Sequence, residues 1–153
     1  RVGDRADTCV VSAGIRAMQG WPMDPGMARA GAELGLALGG HEARQVTGRM
    51  IANTAAVVVF GPEHRAWMRQ EFPEHMGRVL AIGQVARGLG MLPRNRRLPL
   101  TQVVEAVTSG APRIVDTDWI EDPYGYDDRV KMICAKRILA AVDILATRVD
   151  WGD

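Results

Sequence analysis

The side chains best suited to hold a charged partner are the arginines Arg87, Arg94, Arg96 and Arg97, with Arg113 further on. A guanidinium is a planar fork of donors that matches phosphate and carboxylate oxygens. Arg94, Arg96 and Arg97 stand between Pro93 and Pro99, among Leu92, Leu98 and Leu100. That composition reads as a proline-framed loop meeting either nucleic-acid phosphates or an acidic protein surface. The five arginines are therefore the expected partner-binding residues. Residues 84–98 also echo the first half of a helix-turn-helix, with apolar residues around the turn glycine Gly90. The second half departs from it: Arg96 is charged where an apolar anchor belongs, and the prolines leave room for little more than one turn.

A second group is acidic: Asp116, Asp118, Glu121, Asp122, Asp127 and Asp128. A hard cation takes several oxygen ligands, but the calcium-loop order fails, with Ile120 fifth and Glu121 in place of the glycine. Trp119, Tyr124 and Tyr126 interleave these acids and suggest a packing or docking surface, so no metal is expected. His41, His64 and His75 show no HExxH spacing, and Cys9 and Cys134 no CxxC. Ser12 and Ser109 lie in no nucleophile elbow, and neither a P-loop nor GxGxxG is present. The leading expectation is a non-catalytic regulatory or adaptor module without a cofactor, binding protein or DNA through the arginine loop. One alternative is a small helical enzyme pairing His64 or His75 with the acids. Another is a structural subunit, a homo-oligomer built on the Gly31, Gly35 and Gly39 face.

The chain of 153 residues is long enough for one domain with a real core. A formal net charge of +1 gives no overall field toward nucleic acid or an anionic membrane. All basic residues except Lys131 and Lys136 are arginine. No run of 18 apolar residues could span a membrane, and two unclustered cysteines fit a reducing compartment, so a cytoplasmic location is expected. The first residue is Arg rather than Met, from which we expect a processed or excised piece of something longer.

To position these groups, periodicity calls for an all-α, single-domain bundle of six or seven helices. Its centre would be residues 127–149, where Val130, Cys134, Ile138, Ala141, Val142 and Leu145 recur at helical spacing. A helix is expected over residues 4–19, and another starts at the Asp24 cap and Pro25 and runs to Leu38. Residues 42–60 read as a helix, although Val57, Val58 and Val59 suit a strand equally. Helices over 63–72, 74–89 and 101–108 follow, with one capped turn at 118–121. Both cysteines fall on apolar helix faces and are expected as shielded, unpaired thiols.

Overall fold

Three consecutive β-branched residues settle the ambiguous stretch as a strand, β1 (Val57–Val59), because a partner exists further along the chain. That partner is β2 (Val79–Ala81), pairing in parallel with Val57 opposite Val79 and Val59 opposite Ala81. Parallel strands need a crossover, supplied by α3 (Pro62–Glu71) and a 3-10 turn (Pro73–Arg78). The architecture is therefore α/β, which corrects the all-α bundle. The structure, a computed structural model, describes residues 9–151; most of the expected residue 4–19 helix falls within this range, and residues 9–19 contain no helix.

Two apolar layers cover the parallel pair. On one side Ile51 of α2 (Gly48–Ala52) and Met68 of α3 pack against Val59 and Val79. On the other, Leu80 joins Val85 and Leu89 of α4 (Ile82–Gly90) and Val103 and Val107 of α5 (Val103–Gly110). Between α4 and α5 a short strand, β3 (Leu98–Pro99), pairs in parallel with β4 (Val149–Asp150) at the far end of the chain. The expected helix over 74–89 is thus three elements: 3-10 turn, strand and α4. Burial on both faces makes a parallel strand a continuous apolar run, which mimics a buried helix in periodicity.

The long helix exists as α6 (Asp128–Arg148), with Asp127 capping the Val130 N–H at 3.0 Å. It is not the centre of a bundle. Only Cys134, Ala135 and Ala141 are buried, Ile138 and Leu139 are half-buried, and Ile133 is 50% exposed. The helix lies against α4 and against α1 (Pro25–Glu33). Asp24 caps the Met27 N–H of α1 at 3.0 Å and meets Lys131 of α6 at 3.0 Å; the Met27 and Lys131 hydrogen bonds hold its carboxyl below the usual range. Helix α1 ends at Glu33 rather than Leu38, and Gly35 turns the chain with φ +77°. A Cβ at Gly31 would strike Leu38 of the following turn, so this glycine serves a local fold-back and not a helix–helix face.

Candidate active site

In open parallel sheets ligands collect beyond the carboxyl ends of the strands. Past β1 the chain runs Phe60-Gly61-Pro62-Glu63 into α3, and there a cleft of about 650 Å³ opens. Its walls are Gly61, Pro62 and Glu63 on one side and Asp116, Trp119, Ile120, Glu121, Asp122 and Tyr126 on the other, with Arg137 reaching in from α6. The acidic stretch is brought here by one backbone bond at the strand end, Ile120 N–H to Phe60 O at 2.9 Å.

A buried ion pair holds that stretch down. Asp118, 1% exposed, takes a two-pronged hydrogen bond from Arg87 of α4, Nε to Oδ1 at 2.8 Å and Nη2 to Oδ2 at 2.7 Å. The same Nη2 donates to Arg113 O at 2.8 Å, and Asp118 Oδ2 also accepts the Val115 N–H at 2.9 Å. Burial pushes the Asp118 carboxyl up, but the Arg87 hydrogen bond, the Val115 N–H and the Arg87 charge outweigh it and leave it lowered. Arg87 is raised in turn by its bond to Asp118. Gly83 makes the approach possible: a Cβ there would lie 2.3 Å from Asp118 Cα. From the other side Arg137 Nη2 donates to Thr117 O at 3.0 Å and Trp119 O at 2.8 Å.

Within the cleft the acids differ in what they do. Tyr126 O–H donates to Glu121 at 3.3 Å, and Asp122 accepts the Tyr124 N–H at 3.0 Å, a turn that fixes one carboxylate oxygen and leaves the other toward solvent. Tyr126 lines the cleft, and Tyr124 and Tyr126 are 69% and 49% exposed. Among the described residues no thiol lines the cleft. Cys134 donates to Glu121 O at 3.5 Å but is buried, and burial raises its thiol, so it is a packing residue. Cys9 is exposed, which corrects the expectation that both thiols are shielded; both are unpaired, as expected.

None of the five expected partner-binding arginines lines this cleft. Arg87 serves the Asp118 clasp beside the backbone of Arg113, while Arg94, Arg96 and Arg97 are exposed. Arg96 borders a separate hollow of about 460 Å³ with Gln102, Glu105 and Ser109, and Arg148 donates to the carbonyls of Pro93 and Arg94. No recognition helix follows α4, only the loop and β3. The histidines are also engaged locally. His64 Nδ1 accepts the Gly61 N–H at 3.0 Å, and His75 Nδ1 lies 3.1 Å from Arg78 Nη2. The pairing of either with the acids at 116–128 is not seen. The sequence signal for the cleft was the acidic stretch interleaved with Trp119, Tyr124 and Tyr126, read there as a packing or docking surface.

No protein-family model matches the chain. It is 30% identical over 76 residues to the probable low molecular weight protein-tyrosine-phosphatase EpsP of Ralstonia solanacearum, an alignment covering 50% of this chain and 52% of the relative. To the protein of the same name in Ralstonia nicotianae it is 26% identical over 110 residues, 69% of this chain and 76% of the relative. The chain thus spans about half the length of the first of these relatives. Among solved structures, the YwlE arginine phosphatase from Geobacillus stearothermophilus superposes with a TM-score of 0.64 at 19% identity, over 89% of this chain and 70% of that one. The tyrosine phosphatase Wzb from Escherichia coli K30, in complex with sulphate, gives 0.62 at 18%, over 86% and 72%. The fold is accordingly the parallel α/β fold of these phosphatases. The expected non-catalytic, DNA-binding adaptor is overturned with it, since both the curated relatives and the structural neighbours are named as enzymes. No helix among the described residues is long and apolar enough to cross a membrane.

Proposed function

We propose that the cleft beyond β1 is the acid–base and aromatic side of a phosphomonoesterase site acting on aryl phosphates. The observation that carries this reading is Asp122. It is an exposed carboxyl in a cleft at the carboxyl end of a parallel strand, with one oxygen fixed by Tyr124 N–H and Tyr126 in the same lining. The named activity of the curated relatives supports the same reading.

In such a reaction the phosphorus–oxygen bond to the leaving group breaks and its electron pair stays on the phenolic oxygen. Asp122, protonated, delivers its proton to that oxygen as charge develops, and the phosphoryl group passes to a nucleophile and then to water. Tyr126, in the lining of the cleft, would meet the aromatic ring of the leaving group. Arg137 spends Nη2 on the two loop carbonyls, which leaves Nε and Nη1 for an anionic oxygen. Neither the nucleophile nor a cradle of backbone N–H groups stands in the cleft among the described residues.

The test is leaving-group dependence in the full-length gene product. Asp122→Asn should slow hydrolysis of phenyl phosphate by about 10²–10⁴-fold. It should slow p-nitrophenyl phosphate far less, because nitrophenolate leaves without a proton. Equal slowing of both substrates, or none, removes Asp122 as the acid.

A further inference from the structure

Asp122 is held by little of its own: one oxygen accepts the Tyr124 N–H at 3.0 Å across Pro123. Its place in the cleft is set by the chain before it. Of residues 112–122 only Asp118 and Ile120 are buried, so apolar packing does little to fix this segment. Polar anchors do the rest. Ile120 N–H reaches Phe60 O at 2.9 Å, and Arg137 takes the carbonyls on either side of Asp118, those of Thr117 and Trp119. Arg87 is the anchor on which two parts of the loop converge. Its single guanidinium grips both oxygens of Asp118 and the Arg113 carbonyl, so residues 113 and 118 are tied to α4 together. Asp118 in turn closes the intervening turn on the Val115 N–H.

We propose that Arg87 is a positioning residue for the proton transfer: through its fork to Asp118 and its bond to Arg113 it sets where Asp122 stands in the cleft. This rests on the phosphatase reading above. Arg87 is not among the residues that line the cleft, so its effect on turnover passes along the backbone from Asp118 to Asp122. A general acid must stand within hydrogen-bond reach of the leaving oxygen, and a misplacement of about 1 Å costs up to about 10²-fold in rate. The clasp suits that demand. Asp118 is 1% exposed, so water cannot replace the fork once it is broken, and the buried carboxylate must shift or find another donor. Only a guanidinium fits the arrangement. A lysine at this position keeps the charge, but its one nitrogen cannot span two carboxylate oxygens and a carbonyl in the same plane.

The experiment measures kcat on phenyl phosphate and on p-nitrophenyl phosphate for the full-length gene product, Arg87→Lys, Asp122→Asn and the double variant. Arg87→Lys should slow phenyl phosphate by about 10- to 10²-fold and p-nitrophenyl phosphate far less, because a displaced acid harms only the leaving group that needs its proton. In the Asp122→Asn background the same change should leave the ratio between the two substrates where it was, since two residues acting through one step are not additive. Where Arg87→Lys does not fold, Asp118→Asn, which keeps the shape of the side chain and one acceptor oxygen, is read in the same way. Equal slowing of both substrates by Arg87→Lys makes the clasp a support of the fold alone and overturns the proposal, as does no slowing of either. A further fall in the ratio in the Asp122→Asn background places the action of Arg87 elsewhere and overturns it too. A native protein that hydrolyses neither substrate, or an Asp122→Asn variant slowed equally on both, removes the reading of Asp122 as the acid, and the proposal falls with it.

Discussion

Two loops of similar promise in the sequence have opposite fates in the fold. The loop over residues 91–97 carries Arg94, Arg96 and Arg97, all exposed, and among the described residues none of the three forms an ion pair. The loop over 111–126 carries the acids. It is fastened by Asp118 to Arg87, by two carbonyls to Arg137 and by Ile120 to the end of β1. Surface charge counts for little in water, while one buried carboxylate with three donors fixes a segment. The cleft lies on the fastened loop. Density of basic charge along the sequence pointed to the loop whose arginines the fold leaves unfastened.

The comparison breaks most easily at Asp118. Asp118→Ala should cost toward the lower end of about 3–5 kcal/mol, because Arg87 is left without a partner but is itself partly solvated. Denaturant unfolding measures it, and a cost below that of an ordinary surface change would mean that the clasp does not form. Gly83→Ala forces a Cβ onto the Asp118 backbone and should cost about 1–3 kcal/mol. It should also loosen amide protection across 115–120, whereas a neutral result would show that the loop stands further from α4.

Acid titration sharpens the same contrast. The folded carboxyl of Asp118 lies below its unfolded value near about 3.9. Its stabilisation is therefore complete above that pH and is lost as pH falls through the folded value. The melting-temperature gap between the native chain and Asp118→Asn should hold steady from pH 7 to 5 and narrow below pH 4 (about one unit either way). A gap that widens in acid has the wrong sign for this ion pair. The smallest effect belongs to the other loop. Arg94→Ala, Arg96→Ala and Arg97→Ala should each stay within about 0.5 kcal/mol, and a larger loss in any of them would reveal a partner for that side chain.

Local signals in the sequence were sound where the physics is local. The Asp24 cap and Pro25 start depend on residues within one turn, and each appears as read. The strands depend on distant partners. Val57 meets Val79, and nothing between them in sequence announces a pairing. Ala81 runs straight into Ile82 without a glycine or proline, so strand and helix merge into one apolar pattern. The long helix misled for another reason: Val142 is apolar yet 45% exposed, and counting it as core inflated the buried face. The clasp was invisible because Arg87 and Asp118 are 31 residues apart. Asp118 was read as opening a turn, whereas it closes one by accepting the Val115 N–H.

The central claim is that the working face is the acidic loop at the end of β1 and not the arginine loop. It is tested most directly by comparing two variants of the full-length gene product on phenyl phosphate. Asp122→Asn should lower kcat by about 10²–10⁴-fold, while the combined Arg94→Ala, Arg96→Ala and Arg97→Ala variant should leave kcat unchanged. The reverse pattern, with turnover lost on removing the arginines and kept on removing Asp122, would contradict the account.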